Sequence, residues 1–306
     1  MRISYIDMNN LKRYPLPMCA CIGYFDGIHL GHQKLISATS EMAERYHCDS
    51  ALITFDPDPR EVTVKYADVH HIMTLRQKIN KAMDLGIDNI YILKFTEEMS
   101  KLTPDAFIGM LLKTCDLKGL VCGFDFHYGY KGQGNAETLK ACGKFEVAVI
   151  EPVSDSGGKI SSTRIQQLIR DGDVSTAERL LGSPYEVEGI VVEGHHKGTG
   201  IGFPTANLQI STEYVAMHPG VYAGYVWIDR KRYRGMINFG HNPTFNYTNK
   251  LSLEIHLLDF EGDLYGKRLR VQFKHFLREE RQFKTVGNLI MQLEQDKFAT
   301  KRLLSI

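Results

Sequence analysis

Met18–Ala43 reads MCACIGYFDGIHLGHQKLISATSEMA. An apolar run, Met18–Phe25, meets glycine-rich sequence, and Leu35, Ile36, Met42 and Ala43 then recur at helical spacing, which predicts a helix over Gly31–His47. The segment Gly23–His32 therefore sits where a strand hands over to a helix, the edge at which open α/β sheets bind ligands. Gly27 and Gly31 allow backbone to approach a ligand closely. The start of the helix offers unpaired N–H groups and a positive dipole end, which suit phosphate. His29 and His32, three residues apart, reach one spot beside that terminus and can donate hydrogen bonds to phosphate oxygens. A lone histidine at a turn is ordinarily packing, but two histidines with two glycines at a strand–helix junction point to chemistry. Zinc would need a third and fourth ligand that the neighbouring sequence lacks.

The alternation continues on either side. Strands are predicted at Ala51–Phe55, Asn89–Phe95, Leu120–Gly123 and Glu146–Ile150. Helices are predicted at Thr74–Leu85, from the Thr103 cap and Pro104 to about Cys115, and at Asn135–Cys142. This pattern predicts an α/β domain with a doubly wound parallel sheet. After Pro152 come helices at Ser162–Asp171 and Ser175–Leu181, and then Gly182-Ser183-Pro184, which predicts a boundary between residues 1–183 and 184–306. Beyond it the runs Tyr185–Glu193, Gly220–Asp229, Tyr233–Phe239, Leu251–Asp259 and Leu269–Phe276 are strand-like, with one helix at Val286–Lys297. An all-β barrel or sandwich with a trailing helix is expected, with Leu289, Leu293 and Phe298 facing its core and not forming a cofactor box.

Bulk properties narrow the function classes. The chain of 306 residues is long enough for about two domains. Its 43% hydrophobic and 24% charged residues exclude a disordered or disulfide-scaffold protein. Thirty-seven basic residues against 36 acidic ones leave a net charge of +1, so no global field favours nucleic acid or an anionic membrane. The clusters Lys231, Arg232, Arg234 and Lys267, Arg268, Arg270 read as solvated strand faces. No apolar run approaches the ~20 residues of a membrane span, and the acidic, broken start MRISYIDMNN is not expected to be a signal peptide. Six cysteines without a C-x-x-C pair fit reduced thiols in a cytoplasm.

Two further motifs carry chemistry. In ISSTRI, Ser161, Ser162 and Thr163 open a helix and can cap it or bond a phosphate, with Arg164 adding charge. In KGTGIGFPTANL, Gly198, Gly200 and Gly202 make a close-approach loop. Thr205 and Asn207 place two oxygen ligands on one side of an extended segment, and Mg²⁺ on a nucleotide needs few protein ligands.

GYFDGIHLGHQ resembles the nucleotidyltransferase superfamily and, more closely, the bacterial bifunctional riboflavin kinase/FMN adenylyltransferase family, also called FAD synthetase. TFDPDPREV, GFDFHYGYKGQG, ISSTRI, GFPTANL, GVYAGYV, NFGHNPTF, LEIHLLDF, DLYGKRLRVQF and FLREERQF follow in the family's order, covering about residues 14–300. The resemblance implies a Rossmann-like nucleotidyltransferase domain and a riboflavin-kinase-type barrel. It implies ATP-dependent phosphorylation of riboflavin to FMN in the second and adenylylation of FMN to FAD, with release of pyrophosphate, in the first. It assigns catalytic roles to His29, His32 and Glu254. Nucleotide or phosphate contacts fall on Gly23, Phe25, Asp26, Gly27, Gly31, Ser161, Ser162, Thr163, Arg164, Gly198, Gly200, Gly202 and Pro204. Flavin contacts fall on Phe55, Asp125, Phe126 and Tyr128, and Mg²⁺ on Thr205 and Asn207. The chain departs from the family where His is frequent (Asp58), where Arg or Lys is common (Gln166), where Arg is usual (Thr199, Asn242), and at the variable position Tyr24. Two alternatives stand beside this reading: a monofunctional relative with one degenerate module, and a catalytically silent flavin-binding regulator. Small molecules are the expected partners; the motifs leave the oligomeric state open.

Overall fold

The computed structural model describes residues 2–64, 68–194, 199–241 and 251–305. It forms two compact units, Met1–Val69 with Met73–Ser162, and His70–Ile72 with Thr163–Ile306.

The first unit is a six-stranded parallel sheet. In chain order its elements are β1 (Arg2–Ile6), β2 (Tyr14–Ile22), α1 (Leu30–Tyr46), β3 (Asp49–Asp56), α2 (Pro59–Thr63), α3 (Leu75–Asp84), β4 (Asn89–Lys94), α4 (Glu97–Ser100), α5 (Pro104–Thr114), β5 (Cys115–Gly123), α6 (Ala136–Ala141) and β6 (Glu146–Ile150). A two-residue hairpin, β7 (Ser154–Asp155) and β8 (Gly158–Lys159), follows. The spatial order is β1-β4-β3-β2-β5-β6, with β2 and β3 central. Side chains of β2 alternate between two cores. Met18, Ala20 and Ile22 pack with Phe107 and Leu111 of α5 and Leu139 of α6. Cys19 and Cys21 pack with Leu35, Ile36 and Met42 of α1 and Ala82 of α3. Helices thus cover both faces, as a doubly wound parallel sheet requires. The cap foreseen at Thr103 is present, and Thr74, expected as the first helical residue, is instead the N-cap of α3 in a full capping box with Gln77.

The second unit opens at Thr163, the second residue of α7 (Ser162–Arg170), continues through α8 (Val174–Leu181) and then forms a closed antiparallel barrel. Its strands are β9 (Tyr185–Val192), β10 (Ala206–Ile210), β11 (Gly220–Ile228), β12 (Lys231–His241), β13 (Leu251–Leu257) and β14 (Arg268–Arg278), in the order β10-β13-β12-β11-β14-β9. Closure through β9 and β10 leaves no open edge. Leu253 and Ile255 of β13, and Leu269, Val271 and Phe273 of β14, are buried, while the residues between them look outward. Helix α9 (Val286–Leu303) lies against β11, β12 and β14.

Four strands were invisible in the periodicity: β1, β10 and the two-residue β7 and β8, which are too short to show one. β1 is an edge strand that buries only Ser4 and Ile6, and β10 buries only Leu208 fully, so neither carries a clean apolar alternation. Phe298 is 68% exposed and does not face a core, whereas Leu289 and Leu293 turn toward the barrel and line a cavity.

Candidate active sites

The β2–α1 junction is a strained turn. Phe25 (φ 60°), Gly27 (φ 83°) and Ile28 (φ 41°) all adopt positive φ, and for a β-branched residue such as Ile28 that is a marked outlier. Side chains from four elements hold its carbonyls. Thr54 Oγ1 of β3 donates to Tyr24 O at 3.0 Å, and Ser162 Oγ, the first residue of α7, donates to Asp26 O at 2.9 Å. Lys81 Nζ of α3 donates to Gly27 O at 3.3 Å, and Gln33 Nε2 of α1 to Ile28 O at 2.9 Å. The Ser162 bond brings the ISST motif onto the GYFDG turn across about 130 residues of sequence.

His29 caps α1: its Nδ1 accepts the His32 backbone N–H at 3.3 Å, which puts its ring proton on Nε2. The two imidazoles stack at 3.7 Å, and Phe25 meets His32 edge-on at 5.2 Å. A Cβ on Gly31 would lie 3.0 Å from His29 Cε1, so glycine leaves room for the stack. Burial pushes His29 down to about 4, with Lys81 acting in the same direction, and pushes His32 well below the usual imidazole range. Both rings are therefore neutral at pH 7. His32 Nδ1 is enclosed and has no hydrogen-bond partner.

The loop after β5 places Asp125 and Phe126 at the same end of the sheet as β2's carboxyl terminus. Asp125 is exposed and paired with Lys159, whose ammonium also lies 4.4 Å over Phe124. Phe126 stacks at 5.8 Å on Tyr128, which is only 5% exposed and donates or accepts a 3.0 Å bond with Thr138 Oγ1. Phe55, at the end of β3, is buried edge-on against Phe95. Tyr128 and Phe55 are thus walls and supports, and Phe126 and Asp125 are the accessible members.

On the barrel, register aligns Asn207 of β10, Glu254 of β13 and Asn238 of β12, so their side chains share the outer face. A Cβ on Gly194 would fall on the Asn207 side-chain amide, so that glycine is what lets Asn207 occupy its place. A cavity of about 460 Å³ lies between this face and α9, bounded by Phe203, Thr205, Glu254, Arg278, Leu289 and Leu293. A second, of about 340 Å³, is bounded by Pro204, Thr205, Ile255, Phe260 and Tyr265. Both fall in the ~300–1,000 Å³ range of small-molecule sites, and Thr205 borders both. Arg278 is clamped by buried Asp296 of α9 through contacts of 2.8–3.1 Å. His256 Nδ1 bonds Pro204 O at 2.8 Å, fixing the Pro204–Thr205 corner, and burial lowers its pKa. Thr199–Ile201 forms a 3₁₀ turn ahead of Gly202. Gly198 and Asn242 lie outside the described residues.

Comparison with known proteins joins the two sites in one family. The FAD synthetase family profile matches residues 12–164, and the riboflavin kinase profile matches residues 181–304. The chain belongs to the bifunctional riboflavin kinase/FMN adenylyltransferase family. It is 37% identical to the protein of that name from Listeria monocytogenes over 92% of this chain and 90% of the relative. It is 36% identical to the Bacillus subtilis protein of that name, over 93% and 92% respectively. A crystal structure described as a macrolide-efflux protein from Streptococcus pneumoniae superposes with a TM-score of 0.89 at 33% identity, covering 97% of this chain and 98% of that one. Efflux is said of that protein; among the described residues here, no helix is long and apolar enough to cross a membrane.

The family departures have local explanations. Asp58 caps α2 and is gripped by Arg60, with Nε–Oδ distances of 3.1 and 3.2 Å and an Nη2–Oδ2 distance of 2.7 Å. Gln166, 8% exposed, donates to His70 O at 2.9 Å and so fastens His70–Ile72 within the second unit, where His71 bridges to Tyr214. Neither side chain carries positive charge, and both are engaged within the fold. Thr163 and Arg164 stand on the first turn of α7, where the second unit begins. Sequence reading missed Lys78 and Lys81 of α3, Asn238, and the Arg278–Asp296 clamp. Lysines in a helix read as solvated, and only the tertiary structure shows Lys78 to be buried.

Proposed function

We infer that the barrel phosphorylates riboflavin at the Glu254 cavity and that the parallel-sheet unit adenylylates FMN at the His29–His32 turn. As a member of this family with both modules, the chain is a riboflavin kinase and an FMN adenylyltransferase, with riboflavin, FMN and ATP as substrates. The module boundary proposed is 183/184, supported by profiles that end at residue 164 and restart at residue 181.

The observation that carries the kinase assignment is the Asn207–Glu254 register beside a cavity with an apolar wall. Phe203, Leu289 and Leu293 suit the flat apolar face of a flavin ring. Glu254 accepts the proton of the ribityl 5′-hydroxyl as its oxygen attacks the γ-phosphorus of ATP and the bond to ADP breaks. The second cavity, meeting the first at Thr205, suits the nucleotide, with Gly200, Gly202 and Pro204 in the loop beside it. No group of three or more His, Cys, Asp or Glu side chains able to hold a metal occurs among the described residues. The oxygen-bearing pair Thr205 and Asn207 fits instead a Mg²⁺ carried mainly by nucleotide phosphates. When bound, that ion would neutralise phosphate charge, and Thr205 and Asn207 would hold it.

In the adenylyl step a phosphate oxygen of FMN attacks the α-phosphorus of ATP, and the bond to pyrophosphate breaks. Neutral His29 offers Nε2–H as a donor to phosphate oxygen, and His32 stacks behind it. Ser161 and Ser162 bring the start of α7 to the same turn; Thr163 and Arg164 are assigned as phosphate partners by their motif. Asp125 and Phe126 receive the flavin, with Phe55 and Tyr128 behind them. Six free thiols support a reducing compartment such as the cytoplasm.

The test is incubation of the purified chain with riboflavin, ATP and Mg²⁺ and chromatography of the flavins. FMN followed by FAD is expected. FMN without FAD, or FAD only when FMN is supplied, would reduce the chain to one working module.

A further inference from the structure

Lys78 sits on α3, has been given no role above, and is only 3% exposed. A lysine so enclosed is costly unless its charge is used. Its ammonium lies 3.7 Å over the ring of Tyr24 and 3.4 Å from Thr54 Oγ1. Thr54 Oγ1 in turn donates to Tyr24 O. One buried cation therefore holds both the ring of Tyr24 and, through Thr54, its backbone. Tyr24 is the residue immediately before the positive-φ stretch Phe25–Ile28. One helical turn on, Lys81 holds Gly27 O. Helix α3 thus grips the strained turn at both ends.

The charge balance fits a fixed cation. Burial lowers Lys78 to about 8, while Asp26, Asp58 and Asp56 act in the opposite direction. Of these, Asp26 is in the turn and Asp56 and Asp58 are at the end of β3; His32 of α1 feels the same ammonium. At neutral pH the lysine is charged, and a charged ammonium on an aromatic face is an attraction strengthened by desolvation.

We propose that Lys78 is a positioning residue for FMN adenylylation, acting through Tyr24 to hold the Phe25–Ile28 turn in the strained shape that receives the nucleotide phosphates. This rests on the assignment of adenylylation to the His29–His32 turn. Strain of this kind persists only where the surroundings impose it, and loss of the anchor would let the turn relax while the sheet behind it stayed intact.

The experiment measures both reactions of the full chain for Lys78→Met, Tyr24→Leu, Tyr24→Phe and His32→Ala. Lys78→Met and Tyr24→Leu are expected to raise KM for ATP in FMN-to-FAD conversion on the order of tenfold. Riboflavin phosphorylation, the reaction of the other unit, should be unchanged in both, and circular dichroism certifies the folded chain. Tyr24→Phe keeps the aromatic face and should behave as wild type. A purely structural role for Lys78 would lower the active fraction, and so the apparent kcat, at unchanged KM. That result, or Tyr24→Phe matching Tyr24→Leu, overturns the proposal. The His32→Ala arm separates the two levels: full FAD synthesis without His32 would move the adenylyl site elsewhere and overturn the underlying assignment. If Lys78→Met fails to fold, the Tyr24 pair decides, with circular dichroism certifying the fold of Tyr24→Leu, since Tyr24→Phe keeps the aromatic partner of the ammonium and Tyr24→Leu removes it.

Discussion

His29 and His32 stack ring on ring, 3.7 Å between centroids and 14° from parallel, at the first turn of α1. Two imidazolium ions could not share that space, and burial keeps both rings neutral. The consequence is a pH dependence of stability. Between the unfolded value of about 6.5 and the folded value of about 4, His29 binds a proton in the unfolded chain and none in the folded one. Stability from this residue is therefore full above about pH 6.5 and is lost as pH falls toward about 4, on the order of 3 kcal/mol in all. His29→Asn keeps a capping oxygen but does not titrate. Its melting temperature should fall less steeply than that of wild type over this range. Some slope remains because His32 still titrates. Parallel curves for the two proteins would mean that His29 is not held neutral.

Separate sites predict separable losses. His32→Ala should lower FMN-to-FAD conversion by about 10²–10⁴-fold and leave riboflavin phosphorylation near wild type. Glu254→Gln should do the reverse, because the amide keeps the shape but cannot take the hydroxyl proton. Steady-state rates with riboflavin and with FMN as starting flavin read the two steps, and circular dichroism of each variant controls for folding. A variant that loses both while still folded would show that one reaction depends on the other's site.

Gln166 is the departure that on sequence alone looks most damaging to phosphate binding, yet its amide is spent on His70 O inside the second unit. Removing it in Gln166→Ala should lower unfolding free energy by about 1–3 kcal/mol, the cost of an unmet buried hydrogen bond. Gln166→Lys, restoring a cation, should destabilise more, since the position is 8% exposed and Arg170 already lies 3.5 Å from the Gln166 oxygen. Denaturant titration gives both values. A lysine variant as stable as wild type would mean that the side chain escapes to solvent.

Much of this was legible in the chain. The β2–α1 junction, the cap at Thr103 and the long barrel strands follow from local spacing, because a helix start or an alternating strand is written in adjacent residues. The family motifs on which both proposed sites rest are local for the same reason. What stayed hidden depends on distant partners. The burial of Lys78 is set by Tyr24 and Thr54, and the use of Gln166 is set by a carbonyl 96 residues away. Leu289 and Leu293 share an apolar stripe that reads the same whether it meets a core or a ligand cavity; the packing of α9 on the barrel decides. Edge strand β1 and short β10 were lost because few of their residues are buried.

Gly194 offers a test of the kinase site that alters no functional group. It follows β9, and any Cβ there would collide with the side-chain amide of Asn207. Gly194→Ala should therefore displace Asn207, the register partner of Glu254, and lower riboflavin phosphorylation by up to about 10²-fold, the scale of a misplaced ligand group. FMN-to-FAD conversion should be untouched. The link through Asn207 can be isolated by a double-mutant cycle. If Gly194→Ala acts only by moving Asn207, then Asn207→Ala, which removes the obstructed group, should be no further impaired when Gly194→Ala is added. Losses that simply add in the double variant would place the effect of Gly194 in the loop backbone instead of in the position of Asn207.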